Sequence, residues 1–276
     1  MAMKNDFAVM HGLDSYDTPE DLPQSKLFKL MFNSRWYFYA VNFGVFCRTG
    51  RLGQLGKLDG DAQIWMSSIN LRLTERCGSR VHVRGREHLR ALNGRPVVLM
   101  GNHMSLLETG IFHSIAREYV DFAFVVKDSL MRVPYFKDIL SSIGNIPVAR
   151  KDPREDLKTV LNEGKKLLES GKSLIVFPQS TRTATLDPEK FNSLGVKIAK
   201  SAGVPVVPFA LKTDFLSQGK GIFRDLGPVH PGRDTWFEFG PAMEITGNGK
   251  EQLQQTVEFI QDRLEKWFEA ESRELK

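Results

Sequence analysis

Val97-Val98-Leu99-Met100-Gly101-Asn102-His103-Met104-Ser105-Leu106-Leu107-Glu108-Thr109 joins two kinds of pattern. The apolar run Val97 to Met100 reads as a buried strand, Gly101 and Asn102 stop it, and a helix-like spacing starts after Ser105. His103 therefore stands at a strand-to-helix turn, where side chains reach a cleft. On a continuous helix Glu108, five positions on, would lie about 140° around the axis from His103. The two can meet only if the backbone at His103 is not helical. If they meet, the carboxylate holds one ring nitrogen as N–H and leaves the other free to take a proton, the base-and-orienter half of a triad. No nucleophilic Ser or Cys is implied. Ser105-x-x-Glu108 has a second reading as a capping box, in which Ser105 caps the helix and Glu108 reaches back to its backbone. These residues alone leave both open.

The texture around this stretch repeats it. Short apolar runs at 81–83, 97–100, 122–126, 146–149, 174–177, 204–211 and 236–239 read as strands, and helical stretches such as 153–170 and 188–202 separate them. This is the pattern of an α/β sheet covered by helices, in which binding sites gather beyond the strand ends. Val204 to Phe209, framed by Pro205 and Pro208, reads as an edge or bent strand with a packing role. Leu253, Val257, Ile260, Leu264 and Trp267 recur at helical spacing, which predicts a C-terminal amphipathic helix laid on the core.

Ahead of residue 80 the texture is different. Residues 1–22 are polar, with Asp6, Asp14, Asp17, Glu20 and Asp21, and read as a mobile lead without the basic-then-apolar order of a secretion signal. Residues 23–79 read as two helices. The first is rich in large apolar side chains, and Trp36 to Cys47 carries no charge, which is too short to cross a bilayer but long enough to enter one leaflet. Lys26, Lys29, Arg35, Arg48 and Arg51 suit anionic lipid, and the Trp and Tyr side chains suit the headgroup level. A helical hairpin packed on the main domain is the other reading of the same residues. Residues 80–276 form the α/β domain.

Composition bounds the partners. The chain has 276 residues, 41 % of them hydrophobic, and a formal charge of +5, which is enough apolar material for a real core and points to anionic ligands or surfaces. No aromatic-basic RNA signature or zinc-finger spacing supports nucleic acid. Cys47 and Cys77 lie far apart, so neither a disulfide framework nor a cysteine metal site is expected, and a reducing cytoplasm fits. The chain lacks G-x-S-x-G, the G-x-x-x-x-G-K-S/T phosphate loop, G-x-G-x-x-G after a strand, and H-E-x-x-H. The remaining histidines are scattered, and metal-free chemistry is expected.

Cations close several strands. Leu174 to Phe177 stops at Pro178 and opens into the polar turn Gln179-Ser180-Thr181-Arg182; Gly144 to Ala149 ends in Arg150; Phe122 to Val126 ends in Lys127. A guanidinium at such a turn can clamp a phosphate with two parallel hydrogen bonds.

Taken in order, these blocks resemble the glycerolipid acyltransferase family. Its H-x-x-x-x-D block is matched by His103 to Glu108, its G-x-x-x-x-x-R block by Gly144 to Arg150, F-P-E-G-T-R by Phe177 to Arg182, and V-P-x-x-P by Val204 to Pro208. Lys127, Leu130 and Pro134 match a K-x-x-L-x-x-x-P setting, and the resemblance runs from about residue 80 to about 245. Glu108 stands for the usual aspartate, Gln179 for glutamate and Ser180 for glycine.

The resemblance implies a mixed, mostly parallel sheet flanked by helices and an N-terminal pair of membrane-seating helices. It implies transfer of a fatty acyl group from acyl-CoA or acyl-carrier protein, as co-substrate and without cofactor or metal, to the hydroxyl of a lysophospholipid, most readily 1-acyl-sn-glycerol-3-phosphate. His103 would be the base and Glu108 its orienter. Arg182, Arg150, Lys127, Gln179, Ser180 and Thr181 would hold the acceptor. The expected location is the cytoplasmic face of a membrane, peripheral or monotopic. A different lysolipid acceptor, including a lyso amino-acid lipid, and a non-catalytic lipid-binding role on the same fold are the alternatives.

Overall fold

The computed structural model of the chain describes residues 10–149, 151–179 and 181–274. Its strands are β1 (Tyr16–Asp17), β2 (Val81–Arg84), β3 (Val98–Gly101), β4 (Phe122–Lys127), β5 (Ile146–Val148), β6 (Ser173–Val176), β7 (Val206–Lys212) and β8 (Thr235–Phe239). They form one sheet in the order β1-β2-β8-β7-β3-β6-β4-β5. β7, β3, β6, β4 and β5 are mutually parallel, whereas β8 runs antiparallel to β7 and β1 antiparallel to β2. The sheet is thus mixed and mostly parallel. β3, β6 and β7 are buried along their whole length, which is why they read as unbroken apolar runs.

Helices cover both faces. Phe112, on the helix Leu107–Ala116, sits edge-on to Phe122, Phe209, Phe237 and Phe239 and anchors that helix to the sheet. The helix Gly60–Arg76 lies against it, with Ser67 donating to the Gly110 carbonyl at 3.0 Å. The helices Pro153–Glu169, Leu194–Ala202 and Lys250–Glu274 make the other layer. On the last of these Ile260, Leu264 and Trp267 are buried, as its spacing predicts.

β7 corrects one expectation. It lies inside the sheet, between β8 and β3, and is not an edge strand. Pro208 is tolerated because its missing N–H falls on the β8 side, where the ladder has already ended: Phe209 pairs with the last residue of β8, and Gly240 N–H donates to the Pro208 carbonyl at 2.8 Å.

The N-terminal part is tied down. From residue 10 the polar lead is docked: Met10 and Tyr16 enter the core, and β1 adds to β2. The helices Arg35–Gln54 and Gly60–Arg76 form a hairpin, with Asn42 donating to Asn70 at 3.1 Å and Arg48 lying 4.4 Å over the Trp65 ring. The first of them packs on the domain through Phe38 against Phe215 and through Gly50, where a Cβ would strike Tyr135 at 2.3 Å. No helix among the described residues is long and apolar enough to cross a membrane.

Candidate active site

Five parallel strands end at one edge of the sheet, and the residues that follow them are brought together there. His103 follows β3, Thr213 follows β7, Gln179 to Arg182 follow β6, and Lys127 ends β4. Strand spacing of about 4.8 Å puts Lys127 two strands, roughly 10 Å, from the β3 line. At Gly101, the last residue of β3, any Cβ would meet the Phe209 ring at 2.2 Å, which requires glycine there. Asn102 then turns inward and pairs with one residue of β7, donating to the Leu211 carbonyl at 2.8 Å and accepting from Leu211 N–H at 2.9 Å.

Residues 102–105 are non-helical, and the helix begins at Leu107. This is the backbone break the pair required. His103 Nδ1 lies 2.7 Å from Glu108 Oε1, which also accepts from Met104 N–H at 2.8 Å and Ser105 N–H at 2.9 Å. Oε2 accepts from the Ser105 hydroxyl at 2.9 Å and the Thr213 hydroxyl at 2.7 Å. Ser105 Oγ in turn accepts from Leu107 N–H at 3.1 Å. The same carboxylate therefore holds His103 and reaches back to the Ser105 backbone as a capping box would, although the N-cap itself is Leu106 and has no side-chain cap bond. Glu108 is completely buried. Burial works to raise its pKa, but the hydrogen bond and charge interaction with His103, with those from Thr213 and Ser105, outweigh it and hold the carboxyl below its usual range.

An ionised Glu108 only accepts, so Nδ1 carries the proton and the lone pair of neutral His103 is on Nε2. The ring stacks on Phe177, centroids 4.2 Å apart and 17° from parallel, and the His103 carbonyl accepts from Thr183 N–H at 2.9 Å. Its side chain remains 18 % exposed. The ring is thus held by Glu108 and Phe177 and stays partly exposed.

The turn after β6 is built differently. Gln179 points into its own loop: Nε2 donates to Thr183 Oγ1 at 2.9 Å and to the Thr185 carbonyl at 3.4 Å, while its buried Oε1 has no partner among the described residues. A glutamate could not make these donations, which accounts locally for the amide. Thr181 is exposed, with its N–H on the Gln179 carbonyl at 2.7 Å. Arg182 pairs with Asp225 at 2.5 Å, and its carbonyl accepts from Gln218 at 2.8 Å. Tyr39, from the first hairpin helix, is close by: burial pushes its phenol up to about 12, with Asp225 adding to the rise and Arg35 and Arg182 opposing it. Lys127 is exposed at its strand end. Arg150 and Ser180 lie outside the described residues.

Sequence reading missed Asn102, Thr213 and Asp225. Thr213 carried one usable signal, a polar residue directly after an apolar strand in a fold whose sites gather at such ends.

The acyltransferase family model matches residues 80–212, a span that holds His103, Glu108 and the whole turn after β6. A 1-acyl-sn-glycerol-3-phosphate acyltransferase of Pseudomonas aeruginosa is 27 % identical over 216 residues, 77 % of this chain and 74 % of that one. Residues 80–212 of the chain are an acyltransferase domain. A chloroplastic 1-acyl-sn-glycerol-3-phosphate acyltransferase of Brassica napus is 30 % identical over 132 residues, 48 % of this acyltransferase and 37 % of the plant protein. In fold, this acyltransferase matches the crystal structure of the 1-acyl-sn-glycerophosphate acyltransferase PlsC of Thermotoga maritima with a TM-score of 0.65 at 19 % identity, covering 87 % of this chain and 96 % of that one.

Proposed function

We propose that this acyltransferase moves a fatty acyl group from an acyl thioester, acyl-CoA or acyl-carrier protein, to the free hydroxyl of 1-acyl-sn-glycerol-3-phosphate, giving phosphatidic acid. The observation that carries the reading is the His103–Glu108 pair, with a histidine side chain 18 % exposed at the same strand edge that holds Arg182. An alcohol is a poor nucleophile at neutral pH, and a positioned imidazole is the side chain suited to take its proton as it attacks. The alcohol oxygen bonds to the thioester carbon while its proton passes to Nε2. The C–S bond then breaks, and the thiolate leaves with that proton. Glu108 stabilises the imidazolium in between. Arg182 would hold the acceptor phosphate with parallel hydrogen bonds. Because the Gln179 amide is explained by its own loop, its neutrality does not argue for a phosphate-free acceptor.

The proposed seat on the membrane is the exposed apolar surface of Leu27, Leu30, Met31, Phe32, Trp36 and Phe43, with Lys26, Lys29 and Arg35 among them. Phe32, 94 % exposed, stands at a positive-φ turn between the five-residue helix Lys26–Leu30 and the long helix Arg35–Gln54. Such a face suits one leaflet of an anionic membrane on its cytoplasmic side.

Thiol release by purified protein with oleoyl-CoA and a panel of lysolipids tests the reading. The phosphomonoester acceptor should be preferred, and His103→Ala should lower turnover by about 10²–10⁴-fold. Preference for a phosphate-free lysolipid, or a His103→Ala enzyme as fast as the parent, would overturn it.

A further inference from the structure

The Glu108 carboxylate uses its two oxygens for different purposes. Oε1 faces His103 and two backbone N–H groups, whereas Oε2 is satisfied largely by hydroxyls, those of Ser105 and Thr213. Ser105 is a near neighbour in sequence, so its place follows from the turn. Thr213 is 105 positions away and comes from another strand. The pairing of Asn102 with Leu211 holds the end of β7 against the end of β3 two residues before Thr213. The same Asn102 precedes the histidine. The β3–β7 ladder sets the register and this side-chain amide extends it past the strand ends, which delivers the Thr213 hydroxyl to the back of the carboxylate whose front holds His103.

The hydrogen count around this centre is closed. Ser105 Oγ lies 2.9 Å from Oε2 and 3.0 Å from Thr213 Oγ1, and its one proton can serve either. Thr213 has one proton and donates it to Oε2 at 2.7 Å. Ser105, Glu108 and Thr213 are all fully or almost fully buried, so water does not replace a lost donor cheaply.

We infer that Thr213 is a positioning residue of the reaction, its hydroxyl keeping Glu108 ionised and aimed so that His103 presents Nε2 as the base. A carboxylate stripped of this donor binds a proton more tightly, alone or shared with the imidazole. Once Glu108 is protonated it can donate to Nδ1, which forces the proton onto Nε2 and removes the base. His103 is the titratable side chain in hydrogen-bond contact with Glu108 among the described residues. The charged groups flanking Thr213 are engaged elsewhere: Lys212 with Asp214 at 2.8 Å and Glu271 at 3.1 Å, and Asp214 with Arg233 at 3.3 Å.

The inference rests on His103 acting as base, and Thr213→Val, which keeps the shape and removes the donor, tests it. The variant should lose on the order of tenfold in kcat, the rate equivalent of one charge-assisted hydrogen bond. KM for both substrates should stay within about twofold. The acidic limb of the kcat/KM profile should move up by about half to one pH unit. Thr213→Ser should restore both rate and limb. The His103 ring titration, followed by nitrogen NMR of histidine-labelled protein and assigned with His103→Ala, reads the same upward shift without substrate. A missing turnover of the lysolipid therefore counts against the acceptor and not against Thr213. Should valine prevent folding, Thr213→Cys, a weaker donor of similar volume, is read the same way with a smaller shift. Wild-type titration in the valine variant, or a serine variant as impaired as the valine one, would overturn the inference and leave Thr213 a packing residue.

Discussion

Two turns stand side by side at the working edge of the sheet, one after β3 and one after β6. Each follows a four-residue strand buried throughout, and the two strands are neighbours. The first turn closes on itself. Its acid is completely buried and accepts from His103, two backbone N–H groups and two hydroxyls. The second opens outward. Its arginine pairs with Asp225, a side chain 65 % exposed, and Gln179 holds its loop with one end of its amide while the other end finds no partner among the described residues. On the proposed reading the difference separates two tasks. Proton transfer needs a fixed geometry and dry surroundings, and the first turn supplies both. Acceptor recognition needs partners that can be exchanged for a ligand's, and these lie in the second.

If that division holds, the largest loss follows from neutralising the buried acid. Glu108→Gln keeps the length but removes the charge, and an amide can present its NH₂ to Nδ1 and so favour the wrong tautomer. We expect kcat to fall by about 10³-fold or more with KM for the acceptor little changed. Steady-state kinetics on the folded variant checks it. A loss confined to KM would mean that the first turn binds the acceptor after all, and the contrast between the turns would collapse.

Much of this edge is legible in the sequence because its signals are local. The stop at Gly101 and Asn102, the spacing of His103 and Glu108, and the apolar runs of the strands all lie within a few residues of what they determine. β7 is harder to place. Pro205 and Pro208 suggest an edge, and only the early end of β8 at Phe239 makes an interior proline harmless. Thr213 and Asp225 are long-range partners whose roles come from register and loop path. No pattern around either residue announces a carboxylate 105 positions away or an arginine 43 positions away. The polar lead misleads for the opposite reason: its acids dominate its composition, yet Met10 and Tyr16 are enough to dock it, with Asp17 bound by Arg84 at 2.7 Å.

A smaller and different effect is expected at the second turn. Arg182→Ala removes a guanidinium whose side chain is 16 % exposed and which would meet the phosphate. KM for 1-acyl-sn-glycerol-3-phosphate should rise about 10–100-fold, the scale of a lost charge-assisted pair, with kcat changed only a few-fold. Kinetics with varied acceptor at saturating thioester separates the two constants. An equal loss in kcat at unchanged KM would place Arg182 with the reacting atoms.

The smallest effect should run the other way. Asp225 occupies the guanidinium that the phosphate is proposed to take. The carboxylate is then a rival for the acceptor, and an exposed pair of this kind is weak enough for a dianion to displace. Asp225→Asn should therefore lower KM for the phosphate acceptor by about two- to five-fold, leave kcat alone, and have no effect on a phosphate-free lysolipid. Competition by inorganic phosphate should strengthen in parallel. A rise in KM would assign Asp225 the opposite duty, holding Arg182 in its binding pose. The second turn would then be as firmly prearranged as the first, and the division of labour between them would have to be sought elsewhere.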